Sequence, residues 1–188
     1  MKEIRWHGRG GNGTFTAAKL LGAAACVHEG KYAQSFPAFG PERRGAPVAG
    51  FTRISDEVIT DHSQVYGCDC VIVLDETLID VIDVTVGMKE GSFLLINTQL
   101  TPDEIKKEKA AQLGQVDKIL TIDATSIALE KLGRNIVNTV MLGATIGVAG
   151  FVQMESIEGA IVEMMPGSQG LKNKEAAKFA YEMIKGAV

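Results

Sequence analysis

Glu3-Ile4-Arg5-Trp6-His7-Gly8-Arg9-Gly10-Gly11-Asn12-Gly13-Thr14 is the stretch on which the fold turns. Residues 3–7 alternate as a strand does, and the glycines that follow bend the chain tightly. Residues 14–29 are rich in Ala and Leu, contain no proline, and end before Gly30, so they predict a helix. Strand, glycine turn and helix together open an α/β unit.

The same logic extends along the chain. Residues 32–47 hold three of the five prolines, Pro37, Pro41 and Pro47, and show no sustained period, so they are expected to form a long structured loop. Residues 48–54 predict a strand, with 57–60 pairing onto it as a hairpin. Three apolar runs, at 70–75, 93–97 and 119–123, each end in Asp or Asn and have the composition of strands buried on both faces. A weak helix is expected over 77–88, where β-branched residues oppose it, and a better one begins at Thr101-Pro102-Asp103-Glu104. After Asp123 the pattern is helical, over 126–132 closed by Gly133, then 136–149, 157–165 and 172–185. The expected fold is α/β: one domain over residues 1–188, with a doubly wound, largely parallel sheet, helices on both faces and a helical C-terminal part. Gly143, Ala144, Gly147 and Gly150 would let one helix approach another backbone closely, within the chain or across a subunit contact.

Composition removes several function classes. With 188 residues, 46% hydrophobic and 22% charged, the chain can bury one sizeable core. The net charge of -4 and scattered cations lack the basic field that holds a phosphate backbone, so nucleic acid is not an expected partner. No apolar run approaches the roughly eighteen residues of a membrane span, and Met1-Lys2-Glu3-Ile4 has no signal-peptide layout. A cytoplasmic protein without membrane contact is expected. Cys26, Cys68 and Cys70 are too few for a disulfide framework; Cys68 and Cys70 are either a metal pair lacking further ligands or ordinary residues of a buried strand. His7, His28 and His62 are isolated, and no nucleophile completes a triad with them.

Two constellations carry the functional signal. Gly8-Arg9-Gly10-Gly11-Asn12-Gly13 fits G-x-G-x-x-G after a strand and before a helix, where unpaired N–H groups and the helix dipole favour an anion. A tight connection without a ligand would look the same. A dinucleotide site would add an acid at the end of the second strand, and the proline-rich segment stands there instead, which disfavours NAD. The second constellation is Gln34-Ser35-Phe36-Pro37-Ala38-Phe39-Gly40-Pro41-Glu42-Arg43-Arg44-Gly45-Ala46-Pro47-Val48, combining aromatics, rigid turns and two adjacent guanidinium groups. It suits an interface or an anion, or simply a surface loop with a Glu42–Arg pair.

Taken together, these segments resemble the gamma subunits of pyruvate and other 2-oxoacid:ferredoxin oxidoreductases. The likeness covers His7 to Thr14, Thr16-Ala17-Ala18, Leu20-Leu21 and the whole Gln34-to-Val48 segment, and the element order fits from end to end. Asn12 departs from the glutamine often found in the family: it keeps the amide but has a shorter reach. The resemblance implies a complex in which alpha-, beta- and delta-type subunits carry thiamine diphosphate and iron–sulfur clusters and pass electrons to ferredoxin. It implies that this chain binds no cofactor alone, helps hold coenzyme A, and closes the active site. On that basis Gly10, Gly11, Asn12, Gly13 and Thr14 are the expected phosphate contacts, and Arg43 and Arg44 serve coenzyme A charge or subunit docking. None is expected to be a nucleophile or general base. The wording Glu42 to Val48 resembles pyruvate and branched-chain members more than 2-oxoglutarate ones, making pyruvate the first choice of substrate. A stand-alone nucleotide-dependent oxidoreductase and a purely structural assembly subunit are the competing readings.

Overall fold

A computed structural model describes residues 1–38 and 44–186. Strand β1 (Lys2–Arg9) leads through the glycine turn into α1 (Thr14–Ala23), which continues as a π-helical turn, Ala24–His28. Then follow β2 (Tyr32–Pro37), β3 (Pro47–Ser55), β4 (Cys68–Val73), β5 (Met88–Asn97), α2 (Pro102–Glu108), α3 (Ala110–Leu113) and β6 (Lys118–Ile122). Four helices finish the chain: α4 (Ala124–Leu132), α5 (Asn138–Ala149), α6 (Met154–Met164) and α7 (Ser168–Lys185).

The six strands form one sheet in the order β2-β3-β1-β4-β5-β6. Strands β1, β4, β5 and β6 pair in parallel, while β3 runs antiparallel to both β1 and β2. Alternation sorts the side chains between two cores. Ile4, Trp6, Cys70, Ile72 and Leu95 face the core under α1 and α4 to α7; Val71, Val73, Leu94 and Ile96 face the other, thinner core with Ile105 of α2 and Leu113 of α3. An irregularity in β4 between Cys68 and Cys70 puts these two residues in opposite cores, so their thiols cannot converge on one metal. Among the described residues, no group of three or more His, Cys, Asp or Glu could hold a metal ion, and no helix is long and apolar enough to cross a membrane.

Hydrogen bonds fix α1 on the sheet. The Trp6 indole donates to Thr52 Oγ1 (3.2 Å), and the Thr52 and Ser35 hydroxyls both donate to the carbonyl of Ala18 (3.0 and 2.8 Å). Helix α2 begins where its sequence predicts, and with a capping box: Thr101 Oγ1 accepts from the Glu104 N–H, and Glu104 Oε2 accepts from the Thr101 N–H. The small residues of α5 serve packing within the chain. A Cβ on Gly143 would stand 1.9 Å from the Ala177 carbonyl oxygen of α7, and one on Gly147 would stand 2.4 Å from Ile184 Cγ2.

Three sequence expectations are corrected. Residues 32–37 are an edge strand, not loop: Pro37 is tolerated at its end, and its small and polar residues hide the alternation. Residues 57–60 form no hairpin, because β1 and β2 already occupy both edges of β3. Instead the buried Arg53 gathers this connection, donating to the carbonyls of Asp61 and Ser63 (3.2 and 2.8 Å) while its Nε meets Glu3 (3.0 Å). Over 77–88 only the 3-10 turn Glu76–Asp80 forms. Asp75 and Asp83 accept from the N–H groups of Thr77 and Thr85 (3.0 and 2.9 Å), and these local turns compete with a helix already weakened by its β-branched residues.

Candidate functional site

The winding of the sheet places the site. From β1 the chain goes to the β2/β3 side, whereas from β4 it goes to the β5 side, so the carboxyl ends of β1 and β4 flank a change of direction. Open α/β sheets leave a ligand crevice at such a point. Here a cleft of about 570 Å³ runs across the ends of the parallel strands, with Asn12, Asp75, Thr77, Asn97, Asp123 and Thr125 on its walls.

The glycine turn forms one rim. Asn12 donates its N–H to the Arg9 carbonyl (2.9 Å), and Gly11 and Gly13 take left-handed backbone at φ 104° and 75°. Helix α1 has no side-chain cap, so the N–H groups of its first turn are left to an external acceptor. Thr14 is buried, and its hydroxyl has no hydrogen-bond partner among the described residues. That hydroxyl lies against Gly8, where a Cβ would stand 2.1 Å from it. A Cβ on Gly11 would meet nothing within 4 Å, but one on Gly13 would stand 2.5 Å from Asn138 Nδ2 of α5. A side chain at 13 therefore disturbs packing, while Gly11 faces open space.

Arg44 is brought to the same rim. It bridges Gly10 in parallel, the Gly10 N–H donates to the Ala46 carbonyl (2.9 Å), and the Gly45 N–H donates to the Gly10 carbonyl (3.0 Å). Its side chain is exposed. Arg43 lies outside the described residues. Thus Gly10, Gly11, Asn12, Gly13, Thr14 and Arg44 converge, although Arg44 lies 30 positions beyond Thr14 in the chain.

Sequence reasoning missed the polar frame around this rim. Arg9 reaches Asp75 Oδ2 (2.8 Å), Thr77 Oγ1 (2.7 Å) and the Gly45 carbonyl (3.1 Å). Burial pushes the Asp75 carboxyl up, but hydrogen bonds from Thr77 and Arg9 outweigh it and hold the group below the usual carboxylate range. Asp123 caps α4 by accepting from the Ser126 N–H (2.9 Å); burial raises it, and the Ser126 bonds bring it below its ordinary value. The only signals in the sequence were an arginine between glycines and acids at strand ends. Acids line the crevice, Glu76 and Glu108 as well as these two, so an anion is favoured at the glycine rim rather than against them.

His7 sits beneath the rim, buried, with neither ring nitrogen partnered among the described residues. Burial, helped by the neighbouring Arg5 charge, lowers it to about 3, which makes it neutral and structural. The folded state then refuses a proton that the unfolded chain accepts, so the stability present above about pH 6.5 is lost as pH falls toward 3. Urea unfolding should show wild type losing about 2 kcal/mol more than His7→Phe between pH 6.5 and 5. Equal losses would mean that His7 charges in the folded protein.

A second cleft, of about 410 Å³, lies along the open edge of β2, with Phe36, Pro37, Phe51 and His62 among its walls. The Phe36 and Phe51 rings are 5.4 Å apart, and the Arg53 guanidinium lies 5.5 Å from the Phe36 ring.

Known proteins resemble the chain over nearly its full length. Residues 3–183 match the family model described as pyruvate ferredoxin/flavodoxin oxidoreductase. The chain is 56% identical to the pyruvate synthase subunit PorC of Methanothermobacter marburgensis, over 98% of each chain. It is 50% identical to the pyruvate/ketoisovalerate oxidoreductases common subunit gamma of Thermococcus litoralis, over 97% of this chain and 96% of that one. The crystal structure of pyruvate oxidoreductase subunit PORC from Thermotoga maritima superposes with a TM-score of 0.82 at 39% identity, covering 96% of this chain and 95% of that one. With a glycine rim, a crevice at the change of winding and likeness over nearly its full length, the chain belongs to the pyruvate ferredoxin/flavodoxin oxidoreductase family.

Proposed function

We propose that the chain works as the gamma subunit of a 2-oxoacid:ferredoxin oxidoreductase, with pyruvate the first choice of substrate, and that it helps bind coenzyme A over an active site built on partner subunits. The observation that carries the coenzyme A role is the uncapped start of α1 beside the unpartnered Thr14 hydroxyl, at a rim that Arg44 also reaches. A phosphate there would take N–H groups that otherwise lack acceptors, and Arg43 and Arg44 would add charge-assisted contacts. The described residues do not fit an iron–sulfur cluster, since Cys68 and Cys70 face opposite cores, nor do they gather the acids that a metal-bound diphosphate needs. Thiamine diphosphate and the clusters are therefore assigned to alpha-, beta- and delta-type partners, which pass electrons to ferredoxin in the cytoplasm. What this chain supplies is charge, a preformed anion seat and a cover that excludes water.

The apolar cleft beside β2 supports docking, because aromatic surface of this kind is stabilised by removal from water. Hydrogen exchange on the chain, alone and reconstituted with the other subunits, tests both parts. Assembly should slow exchange over residues 32–47 at least about tenfold, and coenzyme A should then protect residues 10–16. Equal exchange at 32–47 in both states removes the docking role; no response at 10–16 removes the coenzyme A role.

A further inference from the structure

Arg9 ends β1 immediately before the turn, opposite Pro47 of β3. Its guanidinium ties the end of β1 to two segments far away in sequence: Nε donates to Asp75 and Nη2 to the Thr77 hydroxyl, while Nη1 donates to the Gly45 carbonyl. Because Thr77 Oγ1 accepts from Arg9, its own proton goes to Asp75 Oδ1 (2.6 Å), the oxygen that also accepts from the Thr77 N–H. Each guanidinium nitrogen of Arg9, and both donors of Thr77, has an assigned acceptor. The peptide that Arg9 clamps, between Gly45 and Ala46, sits between the two that the glycine turn uses, since the Gly10 N–H holds the Ala46 carbonyl and the Gly45 N–H holds the Gly10 carbonyl. A planar fork with donors in fixed directions can span three acceptors at once; a lysine ammonium at the same place is a point charge on a flexible stem.

We propose that Arg9 is a positioning residue that couples the glycine turn to residues 44–46, setting where the start of α1 stands relative to Arg44. It touches no ligand in this scheme. Its effect on KM for coenzyme A rests on the coenzyme A role proposed above, while the coupling itself does not.

The test uses Arg9→Lys, Arg9→Ala and Asp75→Asn, with amide exchange on the folded chain and steady-state kinetics on the reconstituted complex. In Arg9→Lys the amides of Gly10 and Gly45 should exchange at least about tenfold faster, with α5 and α7 unchanged. Asp75→Asn keeps an acceptor and should give a smaller change in the same direction, which guards against misfolding of the stronger variants. Asp75→Asn should add little once Arg9 is Ala, since both act through one network. In the complex, Arg9→Lys should raise KM for coenzyme A about tenfold while kcat and KM for the 2-oxoacid hold. Unchanged exchange at Gly10 and Gly45 in Arg9→Lys overturns the proposal. Faster exchange with an unmoved KM supports the coupling and counts against the coenzyme A role.

Discussion

Gly143→Val is expected to be the most destabilising single substitution in the helical layer, costing about 3 kcal/mol or more. The new Cβ would lie 1.9 Å from a backbone oxygen of α7, which cannot rotate away as a side chain can. Helices α5 and α7 must then separate, opening the core that Val140, Ala144, Ala177 and Ala180 fill. For a chain of this size each kcal/mol moves the thermal midpoint by about 2–4 °C, so a fall of roughly 6–12 °C should appear on a melting curve. Gly186→Ala is the matched control, since a Cβ there would meet nothing closer than 3.6 Å and the φ of -75° suits any residue. A midpoint for Gly143→Val within about 2 °C of wild type would show that the α5–α7 contact is looser than described.

That contact also shows how far the sequence could be read. The spacing of Gly143, Ala144 and Gly147 announced a close backbone approach, but the residues met, Ala177 and Ile184 of α7, lie more than 30 positions later, and a glycine pattern carries no address. The same limit applies at Gly13. Its place in the turn was legible, but its Cβ direction depends on Asn138, which only the docking of α5 brings near.

Strands β1, β4, β5 and β6 were legible because burial on both faces leaves either alternation or unbroken apolar runs. The edge strand β2 was not, since Tyr32, Gln34 and Ser35 have no buried face to impose a period, and its pairing is set by β3. Residues 77–88 were misread because Asp75 and Asp83 satisfy backbone N–H groups locally, a competition that hydrophobic pattern does not display. At the site, glycines and arginines identified the rim. Its frame of Arg9, Asp75 and Thr77 depends on which strand ends become neighbours, and that follows from topology.

The central claim, that this chain contributes coenzyme A binding to the assembled enzyme, is tested most directly by changing Arg43 and Arg44 together to alanine. Arg44 is exposed, so truncating its side chain should leave the fold intact, unlike any substitution at Gly13. Each charge-assisted contact in a partly buried site is worth about 1.5–3 kcal/mol, so losing one or both should raise KM for coenzyme A at least about tenfold. KM for the 2-oxoacid should stay within about twofold, because the proposal places that substrate on partner subunits, where it gains nothing from these two charges. Steady-state kinetics on the reconstituted complex, with assembly confirmed by size, is the measurement. A selective rise in KM for coenzyme A is the predicted result; a complex that assembles normally with that KM unmoved would contradict the account and leave the chain as a scaffold.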